Sequence, residues 1–288
     1  MLDRVTTSGR SLRRAATRPE TYVAQLREAA SLAITAAMWP FGSIDRGLAE
    51  LRSRAAADRS PVTTPVLLIH GYGANKSNWF FIERELRAAG FDRLHAVNYN
   101  PLRATIPEIS TAVVDRAREL MRHFEVDRVH LIGHSTGGIV ARWAVQIGGL
   151  EECGACVTIA SPHRGTPAAR LGFGETARQL RPGSDLMRRL HASARRLDTH
   201  FMAVYSNVDL LSPGDRSTIT EPVLRAANVL VKDEGHLSLM LSRRVAMAVA
   251  AQLAATEGLA GYGTPMAGIG STATPPAGVA PARRAATR

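Results

Sequence analysis

Short apolar runs alternate with longer amphipathic stretches along most of this chain of 288 residues. The runs are rich in the β-branched and aromatic residues typical of strands, whereas the stretches between them have helical spacing. Strands that are apolar throughout are typical of a parallel sheet buried on both faces. The alternation predicts an α/β fold: a mostly parallel sheet of about six strands with helices on both faces. We predict strands at 66–70, 94–100, 129–133, 156–161, 200–206 and 227–232, and helices near 79–89, 107–123, 136–147 and 242–254.

The alternation delimits one large domain at residues 61–255. Its fourth and fifth strands are joined by residues 162–199, which is far more chain than one connecting helix needs. Such insertions in a compact domain usually have a function, and we expect this one to be helical and lid-like. Residues 1–60 are predicted to be a basic segment with an amphipathic helix. The Ala-, Gly- and Pro-rich residues 256–288 are predicted to be a disordered tail.

The formal charge of +11 is concentrated at the two ends and in the insertion. Such a charge suits either a nucleic acid or an anionic membrane surface. We expect no nucleic acid partner, because aromatic and basic residues are not interleaved as in single-strand binders.

The apolar run at 29–42 is uncharged and contains Trp39 and Phe41, but it is too short to span a bilayer. It would pack on the domain or, together with the basic segments, make peripheral contact with a membrane. The sequence shows no clear signal peptide, which favours a cytoplasmic or membrane-associated location.

The sequence gives little support for a metal site or for a redox-active pair of cysteines. No pair of histidines or carboxylates repeats at ligand spacing, so we predict no metal site and no cofactor. The two cysteines, Cys153 and Cys156, are close together, but Cys156 opens an apolar run. We therefore expect it to be a small buried residue rather than half of a redox pair.

Ser135 stands at the centre of Gly133-His134-Ser135-Thr136-Gly137, which matches the pattern G-x-S-x-G. A strand that turns abruptly into a helix strains its corner residue, and side chains two positions away on either side would collide. Glycines at both positions remove that conflict. Because a predicted strand precedes the motif and an amphipathic stretch follows it, the pattern predicts that Ser135 is a nucleophile exposed at the sheet edge.

Acyl transfer at a serine requires two backbone N–H groups that stabilise the oxyanion. One is expected to be the amide of Thr136, directly after the nucleophile. The other must follow an earlier strand, and the stretch "LLIHGYGANKSNW" places glycines at 71 and 73 where the backbone can turn its amides inward. We assign this second donor to Tyr72.

The nucleophile also needs a base and an acid that orients it. If the order along the chain is nucleophile, acid, histidine, each should follow a later strand. Asp209 comes three residues after the fifth predicted strand, and His236 comes four residues after the sixth. Asp215 is the alternative acid. Asp233 and Glu234 are too close to His236 in sequence to orient it well.

The other histidines have simpler interpretations. His134 is expected to be a packing or hydrogen-bonding neighbour in the turn, and His70 is expected to shape the oxyanion loop without transferring protons. The remaining candidates precede the acid and are interpreted as structural: His163, His191 and His200.

With these residues identified, the chain resembles the α/β-hydrolases, and within them the bacterial triacylglycerol lipases and related esterases. The resemblance is carried, in the family's order, by "LLIHGYG", "LIGHSTGGIVAR", "IASPHRGTP", "NVDLLSP" and "DEGHLSL", which together span about residues 60–255. It implies Ser135 as nucleophile, Asp209 as acid, His236 as base, and the amides of Tyr72 and Thr136 as oxyanion hole. Many such lipases hold calcium through an aspartate two positions after the histidine. Ser238 occupies that position, so no calcium site is expected.

Three functions remain open on the sequence alone. The first is a serine-dependent carboxylic-ester hydrolase that acts on lipid-like esters through an acyl-enzyme. The second is an acyltransferase or thioesterase that uses the same triad. The third is a basic, membrane-associated binding protein in which the hydrolase fold is incidental. In the first case the apolar residues of the insertion would form an acyl wall with a basic rim: Leu171, Phe173, Leu180, Leu186, Met187 and Leu190.

Overall fold

A computed structural model describes residues 19–42, 63–259 and 270–271 of the chain. Its centre is a seven-stranded sheet in the order β2-β1-β3-β4-β5-β6-β7. The first six strands are all parallel, which confirms the predicted fold class. The strands are β1 (Val66–Ile69), β2 (Leu94–Val97), β3 (Val129–His134), β4 (Cys153–Ile159), β5 (His200–Ser206), β6 (Ala227–Val231) and β7 (Gly270–Ser271).

Strand β2 ends at Val97, three residues before its predicted end at residue 100, and two further strands also differ from the sequence prediction. Strand β4 begins at Cys153, three residues earlier than predicted, because Cys153 already pairs with Val129 of β3. Strand β7 is a two-residue antiparallel addition to β6. It lies within the stretch predicted to be a disordered tail, and the rest of that stretch beyond residue 259 lies outside the described residues.

The predicted helices are present, with ends shifted by one or two residues. Thr105 and Glu108 form a reciprocal capping box at the start of the third helix, and Pro107 lies in its first turn, where a missing N–H costs nothing. The helices are α1 (Pro19–Gly42), α2 (Phe80–Ala88), α3 (Ile106–Phe124), α4 (Thr136–Gln146), α5 (Gly174–Gln179), α6 (Asp185–Ala192), α7 (Gly214–Ser217) and α8 (Arg243–Thr256).

The sheet divides the hydrophobic core into two layers. One layer packs α3, α4 and the insertion against the sheet, and the other packs α2 and α8 against the opposite face. The two cysteines are buried as free thiols. Burial raises the pKa of Cys156 to about 12, so this thiol is inert packing, as the sequence predicted.

The insertion at 162–199 is helical, as expected, but its apolar residues do not all form an acyl wall. Leu186, Met187 and Leu190 of α6 are buried in the core layer that contains α4. Their spacing places them on one face of the amphipathic helix α6, and this face packs against α4. Leu171 and Phe173, in contrast, are 84% and 78% exposed. The wall prediction is therefore wrong for most of these residues.

Helix α1 is longer than the predicted apolar run, and its amphipathicity is inverted. The side it turns to the domain is small or polar and includes Ala24, Ser31 and Gly42, all of which are buried. Large apolar side chains such as Ile34 (47%) and Phe41 (75%) are exposed instead. The domain thus binds this helix mainly through polar groups and close backbone packing.

Candidate active site

Ser135 occupies a strained corner between β3 and α4. Its backbone has φ 53° and ψ −121°, a region that residues other than glycine rarely adopt. The corner is fixed on one side by a hydrogen bond from the Ser135 amide to the carbonyl of Ile159 at 2.8 Å. The strand-to-helix turn therefore presents the Ser135 side chain at the carboxyl edge of the sheet.

The two flanking glycines are required by close backbone contacts. A Cβ on Gly133 would lie 2.3 Å from the carbonyl oxygen of Gly137, and a Cβ on Gly137 would lie 2.0 Å from the carbonyl oxygen of Ile69. Both distances are far below a van der Waals contact. The collision expected from the sequence motif is thus seen in the geometry on both sides of Ser135.

Asp209 and His236 form a buried pair at the same sheet edge. His236 Nδ1 lies 2.8 Å from Asp209 Oδ2. The other carboxylate oxygen, Oδ1, accepts from the amides of Leu211 at 2.9 Å and Ser212 at 2.8 Å. Because a carboxylate only accepts, Nδ1 carries the hydrogen and Nε2 presents its lone pair. This is the tautomer that a general base needs.

The alternative acids are engaged elsewhere or exposed. Asp215 is an exposed residue of α7. Glu234 pairs with Arg244 at 2.8 Å and accepts from the hydroxyl of Ser242. Asp233 adopts a left-handed backbone with φ 63°, and its amide donates to Asn207. Of these carboxylates, Asp209 alone is bonded to the imidazole of His236.

The loop after β1 is held rigidly by His70. Its Nε2 accepts from the amide of Tyr99 at 3.3 Å, so Nδ1 donates to the Gly71 carbonyl at 2.8 Å. Its ring also stacks on that of Tyr99, 4.2 Å apart and nearly parallel. Burial lowers the pKa of His70 to about 4, which keeps it neutral. His70 thus supports this loop as a neutral side chain.

The loop then turns toward Ser135. Gly73 has φ 72°, which glycine adopts freely, and a Cβ on Gly71 would lie 3.0 Å from Cβ of Ser135. Tyr72, between them, donates its hydroxyl to the carbonyl of Phe173 at 2.6 Å, which ties the loop to the insertion. Tyr72 and Thr136 both border the cavity that contains Ser135.

His134 is a buried neighbour of the pair rather than a part of it. Its Nδ1 accepts from Asn78 at 3.2 Å, so Nε2 donates to the carbonyl of His236, also at 3.2 Å. Burial, and then the neighbouring His236, hold the pKa of His134 well below its usual range. His134 thus supports the loop after β6 that carries His236, which we call the histidine loop, by donating a hydrogen bond to it from a neutral ring.

His163, His191 and His200 lie apart from the pair of His236 and Asp209. His163 is buried, with Nε2 2.9 Å from the hydroxyl of Thr158. His191 lies on α6, where Nδ1 is 2.6 Å from Glu221, and His200 opens β5. None of the three borders the cavity that contains Ser135.

A single cavity of about 320 Å³ contains Ser135 and His236. Its other walls are largely apolar and come from three separate segments of the chain. The insertion contributes Ala169 and Leu180, the loop after β5 contributes Leu211, and α1 contributes Leu32. A cavity of this size and polarity suits one apolar group of a small molecule held against the serine.

The contribution of α1 to this site was missed by sequence reasoning. Glu28 on this helix accepts hydrogen bonds from the amides of Leu237 and Ser238, directly after His236. At the other end, Asn75 and Asn98 donate to carbonyls of α1. Since these contacts join positions far apart in sequence, local patterns carry no signal for them.

The part of the chain that the structure describes contains no cluster of three or more His, Cys, Asp or Glu side chains arranged to hold a metal ion. Across the same residues, every helix is too short or too polar to cross a membrane.

Comparison with known proteins identifies the family and the fold. The sequence pattern of the alpha/beta hydrolase family matches residues 66–244. Among similar solved structures is the mature lipase of Bacillus licheniformis, 16% identical, with TM-score 0.56 over 63% of this chain and 88% of that one. A monoacylglycerol lipase of Paleococcus ferrophilus is 16% identical, with TM-score 0.51 over 68% and 95%. Lipase B of Aspergillus fumigatus is 15% identical, with TM-score 0.56 over 70% and 53%.

At these identities the structural likeness concerns the fold. A curated relative, the dihydrolipoyllysine-residue acetyltransferase component of the acetoin cleaving system of Pseudomonas putida, is 33% identical over 84 residues. The match covers 27% of this chain and 22% of the relative. The family pattern spans more than half of the chain and agrees with the fold and with the motifs quoted above. The chain therefore belongs to the alpha/beta hydrolase family.

Proposed function

We propose that this protein hydrolyses carboxylic esters, with Ser135 as nucleophile, His236 as base and Asp209 as the acid that orients the base. The observation that carries the proposal is the buried 2.8 Å pair of His236 and Asp209, which opens on the same cavity as a serine held at φ 53°. A nucleophile, a base and an orienting acid are the three groups that acyl transfer requires.

In the proposed reaction, Ser135 Oγ attacks the ester carbonyl while its proton passes to His236 Nε2. The amides of Tyr72 and Thr136 stabilise the oxyanion of the tetrahedral intermediate, each by about 3 kcal/mol. As the intermediate collapses, the imidazolium returns the proton to the departing alcohol. Water then attacks the acyl-enzyme, with its proton taken by His236, and the carboxylic acid leaves as Ser135 is regenerated.

The substrate class follows from the cavity walls. Leu32, Leu180 and Leu211 would contact an acyl chain rather than a charged or sugar-like group. The structural neighbours named lipases agree with this reading, so we propose lipid-like esters as substrates.

A fluorophosphonate probe tests the nucleophile. We expect it to phosphonylate this protein once, because the proposed oxyanion amides would donate hydrogen bonds to the phosphonyl oxygen as they would to the oxyanion of the tetrahedral intermediate. Digestion and mass spectrometry should place the adduct on Ser135, and prior incubation with p-nitrophenyl butyrate should slow the labelling. An adduct on another residue, or no labelling of folded protein, would contradict the proposed nucleophile. A series of p-nitrophenyl esters of increasing chain length would then define the acyl preference.

The same groups would also serve an acyltransferase or thioesterase, in which an alcohol or a thioester takes part instead. The short match to an acetyltransferase component favours keeping this alternative. The two functions differ in which acceptor reaches the acyl-enzyme. Product analysis with glycerol present distinguishes them: free acid alone supports hydrolysis, whereas acylglycerol as the main product supports transfer.

Peripheral membrane contact is part of the proposal. The outward side of α1 is uncharged from residue 29 to residue 41 and exposes Ile34 and Phe41. Leu32 of the same helix is 59% exposed and also borders the cavity, so a lipid surface on α1 would lie beside the opening to Ser135. The basic residues before α1 in the sequence would add attraction to anionic lipid.

The double variant Ile34→Ser and Phe41→Ser tests this contact. Each change removes apolar area from the bound surface, so binding to phosphatidylglycerol-containing vesicles should weaken by on the order of ten-fold per residue. Hydrolysis of soluble p-nitrophenyl butyrate should stay unchanged, because neither residue lines the cavity. Val223→Ser, at another exposed apolar position, serves as the matched control. Equal vesicle binding by the double variant and the control would contradict the contact.

A further inference from the structure

Helix α1 lies outside the residues that define the family, yet it packs on both loops that border Ser135. Its range, Pro19–Gly42, precedes the family match at residue 66. It contacts the 3₁₀ helix Lys76–Trp79, which follows the loop that contains Tyr72, here called the oxyanion loop. It also contacts the 3₁₀ helix Ser238–Leu241, which follows His236. One helix therefore spans two loops whose relative position decides the geometry of the site.

The contact with the histidine loop is made by the carboxylate of Glu28. Its Oε1 accepts from the amide of Leu237 at 2.8 Å, and its Oε2 accepts from the amides of Leu237 and Ser238, each at 3.0 Å. Hydrogen bonds to an ionised acceptor are stronger than neutral ones. The two amides immediately follow His236, so the carboxylate holds the backbone from which the imidazole projects.

The residue before His236 is a glycine, and Glu28 explains why. A Cβ on Gly235 would lie 2.3 Å from Glu28 Oε2 and 2.7 Å from its Cδ. The backbone of Gly235 has no left-handed φ that would by itself demand glycine. Position 235 thus needs glycine because the Glu28 carboxylate approaches its backbone so closely.

The other end of α1 is attached in the same close manner. A Cβ on Gly42 would lie 2.1 Å from Asn75 Oδ1. Asn75 donates to the carbonyl of Trp39 at 2.7 Å, and Asn98 donates to the carbonyl of Gly42 at 2.8 Å. These contacts fix the segment that follows Tyr72, so α1 links the oxyanion loop to the histidine loop.

Nearby carboxylates have other tasks. Glu234 is paired with Arg244, and Asp209 receives two amides and the imidazole. The amides of Leu237 and Ser238 are therefore held by a residue more than two hundred positions away in sequence, which only the docking of α1 provides.

We propose that Glu28 is a positioning residue of the active site, and that α1 is a structural part of the catalytic unit. Its carboxylate fixes the backbone after His236, so that the imidazole keeps its bond to Asp209 at the wall of the cavity that contains Ser135. Glu28 touches neither the substrate nor the reacting atoms. This inference rests on the proposed function for its effect on rate, and on the hydrogen bonds alone for its effect on the loop.

The first test is Glu28→Gln in the full chain. The side chain keeps its size, but one oxygen becomes an N–H₂ group that faces a backbone N–H. We expect kcat for p-nitrophenyl butyrate to fall about 10- to 100-fold, the loss typical of a base displaced by a fraction of an ångström to one ångström. KM should change less than two-fold, because Glu28 does not contact the substrate. Glu28→Asp, which keeps the charge, should recover part of the rate.

A second variant reaches the same contact from the opposite side. Gly235→Ala leaves Glu28 intact but places a methyl group where its carboxylate lies. It should lower kcat by a similar factor, and the double variant with Glu28→Gln should be no slower than either single variant, since both remove one interaction. Gln25→Ala, at an exposed position one turn away on α1, is the control and should leave kcat unchanged.

Hydrogen exchange separates this inference from the assigned reaction. In Glu28→Gln the amides of Leu237 and Ser238 should exchange about ten-fold faster, whether or not the protein hydrolyses esters. Faster exchange in a protein that hydrolyses no ester would uphold the contact and overturn the reaction. Unchanged exchange, unchanged kcat, or a rise in KM at constant kcat in the folded variant would overturn the role of Glu28.

Discussion

Replacement of Ser135 by alanine is expected to lower kcat for p-nitrophenyl ester hydrolysis by roughly 10³- to 10⁶-fold. Without Oγ, no acyl-enzyme forms and His236 has no hydroxyl to deprotonate. The proposed oxyanion donors would remain, so a small residual rate through direct attack by water is expected. The measurement is kcat at saturating substrate, compared with the unmodified protein and with the uncatalysed reaction.

The fold should survive this substitution, since alanine has the same Cβ in the same strained backbone. The midpoint of thermal unfolding should therefore match that of the unmodified protein. Ser135→Gly should be equally inactive but more stable by about 1 kcal/mol, because glycine tolerates φ 53° at less cost. A folded Ser135→Ala protein that retains the original rate would contradict the assignment of the nucleophile.

The fold was predictable because most strand positions are apolar and the strands alternate with helical stretches. Runs such as β1, Val66–Ile69, are buried on both faces, and neither composition nor spacing suggests another arrangement. The start of β4 was harder to place. Cys153, Gly154 and Ala155 have little intrinsic strand preference, and they form a strand because pairing with β3 and β5 supplies it.

Helix α1 and the insertion show where periodicity fails. In both, the sequence locates helices, but it does not reveal which side faces the domain. On α6, apolar residues that suggested a substrate wall pack into the core, whereas on α1 the packed side is the small and polar one. Hydrophobic spacing indicates that a helix has an apolar face, but what that face contacts depends on the surface of the neighbouring elements.

The candidate site was predictable to the extent that its residues follow strands. Ser135, Asp209 and His236 come just after β3, β5 and β6, and parallel strands bring their carboxyl ends to one edge. Glu28 obeys no such rule. Its position depends on how a helix that precedes the sheet docks on it, and this docking is determined by side-chain contacts that span the whole chain.

Replacement of Asp209 by asparagine is expected to lower kcat by about 10³- to 10⁴-fold. The introduced amide has only one oxygen. In Asp209 one carboxylate oxygen accepts from the amides of Leu211 and Ser212 while the other bonds His236, so in asparagine these two sets of partners compete for a single acceptor. If the oxygen stays on those amides, the N–H₂ group faces His236 Nδ1. Nδ1 must then accept, so the hydrogen moves to Nε2, which can no longer take the proton of Ser135.

Asp215→Asn is the matched control for this substitution. Asp215 is exposed on α7 and is not bonded to His236, so kcat of this variant should remain within about two-fold of the unmodified value. In Asp209→Asn, rotation of the introduced amide would restore the useful tautomer only by turning its N–H₂ group toward two backbone N–H groups. A loss in Asp215→Asn together with full activity in Asp209→Asn would transfer the acid role to Asp215, because the orientation of an amide at position 209 cannot account for the loss in Asp215→Asn.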